Sequence, residues 1–210
     1  GIDTFISFDN FEWGADGDLL STSGGGITWT DIIAGTSRDE IDTGQFWGGS
    51  KSARLYRDGT NNPACQMVRA ATSNAYAIRL RVRKNDTATL LIRHGNATDY
   101  IYVQIVADEK IYYYDGSTHD TGATVPVNVW FLLEVANVDF AAKTYDIWLN
   151  DILVANGVAM YVGGASYNSV IRFTNSGGTS DDNLDDVIVR NWTVNEPTWA
   201  SWGTIEHLRN

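Results

Sequence analysis

Cysteine is almost missing from this chain: among 210 residues there is one, Cys65. A lone thiol closes no internal disulfide, and with no second Cys or nearby His it anchors no zinc, so it reads as a small buried or half-buried apolar residue. The three histidines, His94, His119 and His207, lie too far apart to form a metal triad or a catalytic pair by spacing. No apolar run approaches the ~18–20 residues of a membrane-spanning helix; the longest are short stretches such as Trp130-Phe131-Leu132-Leu133. Basic residues are also few. Lys plus Arg number 15 against 26 Asp plus Glu, a net charge of −11, which excludes functions that neutralise a phosphate backbone and removes nucleic acid and anionic membranes from the expected partners. Gly24-Gly25-Gly26 precedes neither a helix nor a Lys and is no phosphate loop.

Helical periodicity is missing too, whereas period-two alternation recurs along the chain between Gly, Asn and Asp. The clearest run is Tyr76 to Arg83, where Ile78, Leu80 and Val82 point one way and Arg79, Arg81 and Arg83 the other. Further strands are expected at Thr89 to Arg93, Tyr100 to Val106, Ile111 to Tyr114, Val129 to Val135, Thr144 to Leu149, Ile152 to Ala155, Val170 to Thr174 and Leu184 to Val189. In the N-terminal third they are expected at Phe5 to Phe8, Ile27 to Thr30 and Ala53 to Tyr56. Asp108-Glu109-Lys110 and Asn150-Asp151 read as hairpin turns. With 43% hydrophobic residues the chain can fill one core, and sandwich domains routinely run to about 200–250 residues. The expected fold is therefore all-β, a two-sheet antiparallel sandwich over residues 1–194. A tail follows over 195–210, where Pro197 ends regular pairing and Trp199 and Trp202 sit ready to dock back or to meet a following module of a longer chain.

Several pieces in order resemble the concanavalin A-like lectin/glucanase jelly rolls, including laminin-G-like domains and calcium-bearing carbohydrate-binding modules. They are Phe8-Asp9-Asn10-Phe11-Glu12, Gly49 to Leu55, Trp130 to Val135, Lys143 to Asp151 and Leu184-Asp185-Asp186-Val187-Ile188-Val189. The resemblance spans roughly residues 5–194 and implies a jelly roll with its first and last strands side by side. It also implies a structural calcium held by Glu12 and by Asp185 and Asp186, with backbone oxygens near Gly14 and Lys51 completing an oxygen shell of the kind this hard cation takes. Asp16 and Asp18 are an alternative pair. Glycosidases of this superfamily carry a Glu-x-Asp-x-x-Glu strand; Glu40 to Gln45 matches it in part but ends in Gln45, so no catalytic dyad is expected. A lyase reading would cast His94, Tyr102, Gln104 and Arg81 as base and carboxylate neutraliser, without recognisable lyase motifs.

The unexpected feature of an acidic chain is a basic and aromatic stripe. Arg79, Arg81 and Arg83 share one strand face, and the same outward parity adds Arg93, Tyr100, Tyr102, Gln104, Tyr112 and Tyr114 on strands expected to be neighbours. Aromatic faces pack on the C–H surfaces of sugars, and Arg forks onto carboxylate or sulfate. Trp148 and Arg172 share that parity on strands whose sheet the sequence does not fix. The expected function is a secreted or cell-surface module that binds a polysaccharide, acidic ones among the candidates, without chemistry of its own. The alternatives are an adhesin or structural subunit of a surface assembly, and a glycan-cleaving hydrolase or lyase. Asn85-Asp86-Thr87, Asn96-Ala97-Thr98 and Asn191-Trp192-Thr193 match the glycosylation acceptor pattern. The chain opens on Gly1 without basic, apolar and small-residue segments in succession, so any targeting peptide is expected to lie outside this sequence.

Overall fold

The computed structural model describes residues 5–22, 26–68, 75–84, 89–163 and 169–192; the expected tail, with Pro197, Trp199 and Trp202, lies outside them. The strands are β1 (Phe5–Asp9), β2 (Trp29–Ile32), β3 (Arg38–Asp42), β4 (Ser52–Asp58), β5 (Ala64–Val68), β6 (Tyr76–Lys84), β7 (Thr89–Gly95) and β8 (Asp99–Ile105). They continue as β9 (Lys110–Tyr114), β10 (Thr118–Thr124), β11 (Trp130–Asp139), β12 (Thr144–Leu149), β13 (Ile152–Ala159), β14 (Tyr161–Val162), β15 (Val170–Ser176) and β16 (Thr179–Asn191). Among the described residues the only helical element is a 3-10 turn at Leu20–Thr22, and no helix there is long and apolar enough to cross a membrane.

The strands form two antiparallel sheets stacked as a jelly-roll sandwich. Sheet I runs β13-β12-β11-β6-β16-β4-β3, with β1 also paired to β16, and sheet II runs β10-β9-β8-β7-β15-β5-β2, with β14 on β8. The pairing of β1 with β16, Phe8 opposite Ile188, sets the two ends of the fold side by side. Alternation decides which residues fill the core. Ile78, Leu80 and Val82 of β6 and Phe131, Leu133 and Val135 of β11 come from sheet I, and they meet Leu90 and Ile92 of β7, Ile101, Val103 and Ile105 of β8 and Phe173 of β15. Burying a side chain of this size contributes on the order of 1.5–3 kcal/mol relative to leaving it in water.

One expectation about neighbours fails. β6 does not continue into β7, β8 and β9 within one sheet. It sits in sheet I between β11 and β16, while β7, β8 and β9 pair consecutively in sheet II. Parity along a strand tells inward from outward but not which sheet the strand joins, and the connection from β6 to β7 passes from one sheet to the other. The outward residues of β6 and of β7–β9 therefore lie on opposite sides of the sandwich.

Candidate functional site

On sheet II the core residues Ile92, Ile101, Val103 and Ile111 turn Arg93 of β7, Tyr100, Tyr102 and Gln104 of β8, and Tyr112 and Tyr114 of β9 to the outer face. Register then sets the neighbours. Arg93 is opposite Tyr102, Gln104 opposite Tyr112, and Tyr161 of the two-residue β14 opposite Tyr100. Four tyrosine rings close on one another. Tyr100 and Tyr161 meet edge-on at 4.9 Å between centroids, Tyr114 and Tyr161 at 5.0 Å, Tyr102 and Tyr114 at 5.5 Å, and Tyr100 and Tyr102 at 6.3 Å. The Arg93 guanidinium lies over the Tyr102 ring, 4.7 Å from its centroid, and donates to its hydroxyl at 3.2 Å.

With Gln104 and Thr118 these side chains line an open groove of ≈ 390 Å³. Its lining holds aromatic rings, hydroxyls, an amide and one cation, and no carboxylate. Beside it, Arg172 of β15 stands directly opposite Arg93, and its Nε and Nη2 donate to Gln66 Oε1 at 2.9 and 2.6 Å. Forked guanidinium donors of this kind fit a carboxylate or sulfate. Tyr112 shares the face but not the groove: its hydroxyl donates to Asp108 at 2.7 Å, and that bond pushes the phenol up from its ordinary pKa.

The remaining arginines of the expected stripe are elsewhere. Arg79, Arg81 and Arg83 lie on the outer face of sheet I, so the single nine-residue surface does not exist. Arg79 is buried and spent: it pairs with Glu134 at 2.6 Å and Asp151 at 2.8 Å, and Arg190 holds the other oxygen of Glu134. Arg81 and Arg83 are half-buried. Trp148 belongs to sheet I and Arg172 to sheet II. The sequence pattern does not reveal Tyr161 and Thr118, because β14 is too short to show alternation and β10 is a polar edge strand.

Two of the three carboxylates expected to share calcium, Glu12 and Asp185, are brought to one loop, where each already accepts from donors. Asp185 Oδ2 accepts the backbone N–H groups of Trp47 and Gly48 at 3.0 and 3.3 Å, and its Oδ1 that of Asp186; burial and then the neighbouring Asp186 push Asp185 up to about 7. Glu12 accepts from Ser50 N, Ser50 Oγ and Lys51 N. Gly49 between them has φ 76°, and a Cβ there would stand 2.0 Å from Glu12 Oε1, so the loop is wrapped tightly on this carboxylate. The carbonyls of Glu12 and Gly14 accept from the Lys51 ammonium, at 3.3 and 2.7 Å, where the resemblance would put a cation. In the alternative pair, Asp16 bonds Thr43 and Asp18 bonds Ala15 N. Among the described residues no three His, Cys, Asp or Glu side chains group to hold a metal. As arranged, the donor set does not fit a calcium shell.

Of the residues weighed for catalysis, Tyr102 and Gln104 share the groove, and the others lie away from it. Glu40 is on β3 of sheet I and pairs with Arg54 at 3.0 Å. His94 points into the core from β7, 0% exposed, with Nδ1 2.7 Å from the Val170 carbonyl and its ring edge-on to Tyr76 and Phe140. It cannot reach a substrate on the outer face.

No family model matches this chain, and no curated protein does. Solved structures do. A carbohydrate esterase from the Shiga toxin-encoding bacteriophage phi24B is similar over 90% of this chain and 99% of its own, at 13% identity and TM-score 0.65. An endo-beta-1,4-glucuronan lyase from the fungus Trichoderma reesei is similar over 90% and 96%, at 11% identity and TM-score 0.58. Domain 4 of AbnA, an extracellular arabinanase from Geobacillus stearothermophilus solved with arabinotriose, is similar over 90% and 92%, at 15% identity and TM-score 0.55. At these identities what is shared is the fold.

Proposed function

We propose that the protein is an extracellular carbohydrate-binding module whose site is the tyrosine groove of sheet II, and that it recognises a polysaccharide bearing carboxylate or sulfate groups. The observation that carries this reading is the groove itself: four tyrosine rings, Gln104 and Arg93, with no carboxylate in the lining of a chain whose net charge is −11. Such a composition, mostly aromatic with a few fixed polar groups, is that of a ligand site. Rings present faces to sugar C–H surfaces, hydroxyls and the amide meet sugar hydroxyls, and Arg93 with Arg172 meets the anion. Support for the class comes from the fold shared with proteins that act on or bind glycans, among them a glucuronan lyase and an arabinanase domain bound to arabinotriose. The groove lining offers no carboxylate pair for glycoside hydrolysis, which favours binding over hydrolysis.

The test is calorimetric titration with neutral and acidic oligosaccharides. Tyr102→Ala should weaken binding by more than about tenfold, and Arg93→Ala should weaken the acidic ligands selectively by a similar factor, both with unchanged melting temperature. Full affinity in both variants would remove the groove from the reading.

A further inference from the structure

We propose that the patch around Arg81, Arg83 and Trp47 on the outer side of sheet I is a second, independent glycan-binding site for an anionic polysaccharide, so that one molecule can bridge two chains from opposite sides of the sandwich. This rests on the carbohydrate reading of the groove but on different residues.

Ion pairs account for Arg79 and Arg190 on this face but not for Arg81 and Arg83. Neither of the latter has a hydrogen bond or ion pair with any described residue, and Arg81 Nε is buried without an acceptor. Burial and the adjacent Arg79 pull the Arg81 guanidinium down, against weaker opposing pulls from Asp186, Asp151 and Asp185.

Aromatic surface surrounds them. Arg81 lies 4.3 Å from the centroid of the Trp47 ring, and Trp47 is 47% exposed with Phe46 beside it at 43%. This platform does not hang on a loose loop. Its backbone is tied to sheet I through Asp185, which accepts from Trp47 N and Gly48 N. Register puts Trp130 opposite Arg83 and Trp148 opposite Glu134, and Trp148 Nε1 is a buried donor with no acceptor. A pre-ordered exposed indole and unpaired guanidiniums together suit a sugar ring carrying an anionic group: the ring stacks and the anion takes the forked donors.

The experiment removes one face at a time in the whole chain, with oligogalacturonate as the carboxylated probe, a sulfated dextran oligosaccharide as the sulfated one and a neutral xylo-oligosaccharide as control. Wild type should bind two equivalents of an acidic probe, and Tyr102→Ala one. Arg81→Ala with Arg83→Gln, added to Tyr102→Ala, should lose the remaining binding by more than about tenfold with the fold intact by its melt. Wild type should also retain soluble labelled polygalacturonate on an insoluble polygalacturonate matrix, whereas each single-face variant should bind the matrix without retaining the label. One equivalent in wild type, all of it lost in Tyr102→Ala, would overturn the second face and leave the groove standing. An acidic-probe stoichiometry unmoved by the Arg81 and Arg83 changes would overturn it as well, and binding of no probe by wild type would overturn both.

Discussion

At the scale of single residues, the sandwich holds a carboxyl group in the wrong place. Asp39 of β3 faces the interior, 0% exposed, where its polar neighbours include the Asp31 carboxyl and the backbone of Ile32. Burial, then the nearby Asp31, pushes its carboxyl from 3.8 up to about 8. Between those two values the folded chain keeps a proton that the unfolded chain has released. Stability on this account is full below about pH 4 and falls as pH rises toward 8, by at most about 1.4 kcal/mol for each step of one in pH. Asp39→Asn should therefore flatten the pH dependence of thermal melts and stabilise the fold by about 2 kcal/mol at pH 8, with little effect near pH 4. The variant should keep a shallower slope ending near pH 7, from Asp185. Parallel melting curves for the two proteins would show that Asp39 titrates as an ordinary aspartate.

Lys51 belongs to the same scale. Its ammonium on the Glu12 and Gly14 carbonyls supplies the positive charge that a metal would supply, so EDTA should leave the melting temperature unchanged, while Lys51→Met should lower it by about 1–3 kcal/mol in stability. A melt that drops on chelation and returns with calcium would put an ion at Glu12 and Asp185 instead.

At the scale of elements, the β12–β13 hairpin shows how a short sequence signal becomes a fixed register. Asn150 and Asp151 both take positive φ, 48° and 65°, as a two-residue turn matched to strand twist requires. Asn150 also reaches sideways: its Oδ1 accepts from Leu132 N at 2.9 Å and its N–H donates to Leu132 O at 2.8 Å. Asn150→Ala should cost about 1–2 kcal/mol in urea unfolding, from left-handed strain and a lost acceptor, and Asn150→Gly less because only the acceptor goes. Equal losses for the two would mean that backbone strain contributes nothing. This turn was legible because Asn-Asp between two alternating runs has one cheap geometry.

Most strands were legible for the same local reason, and three of the four exceptions share one cause, a missing apolar alternation; the fourth, β5, does alternate, with Cys65 and Met67 buried on either side of Gln66, but is only five residues long. β10 lies at an exposed edge, and its run from Thr118 to Thr124 holds no large apolar residue. β14 is two residues long, and β3 turns Asp39 inward where the pattern demands an apolar residue. The groove was legible in Arg93, Tyr100, Tyr102, Gln104 and Tyr114 because side-chain direction within a strand is local. That Arg81 is on the other side of the molecule was not, because sheet membership is decided by pairing between β6 and β16, strands about a hundred residues apart in sequence.

At the scale of the whole molecule, the acidic total and the basic, aromatic faces act at different distances. A charge of −11 repels an approaching polyanion over the Debye length, about 30 Å at 0.01 M salt and about 8 Å at 0.15 M. The proposed pairing of Arg93 with a bound carboxylate would be a contact interaction, which survives at either salt. Raising salt between these limits should therefore increase the association rate of an acidic oligosaccharide several-fold, because the long-range repulsion is screened before the contact is. The dissociation rate should change little, so that the equilibrium affinity rises with the association rate. Stopped-flow tyrosine fluorescence with an acidic and a neutral oligosaccharide reads both rates. The neutral ligand should show no salt trend, and an association rate for the acidic one that falls steadily with salt would mean that the guanidiniums of the binding face, rather than the chain's overall charge, govern the approach.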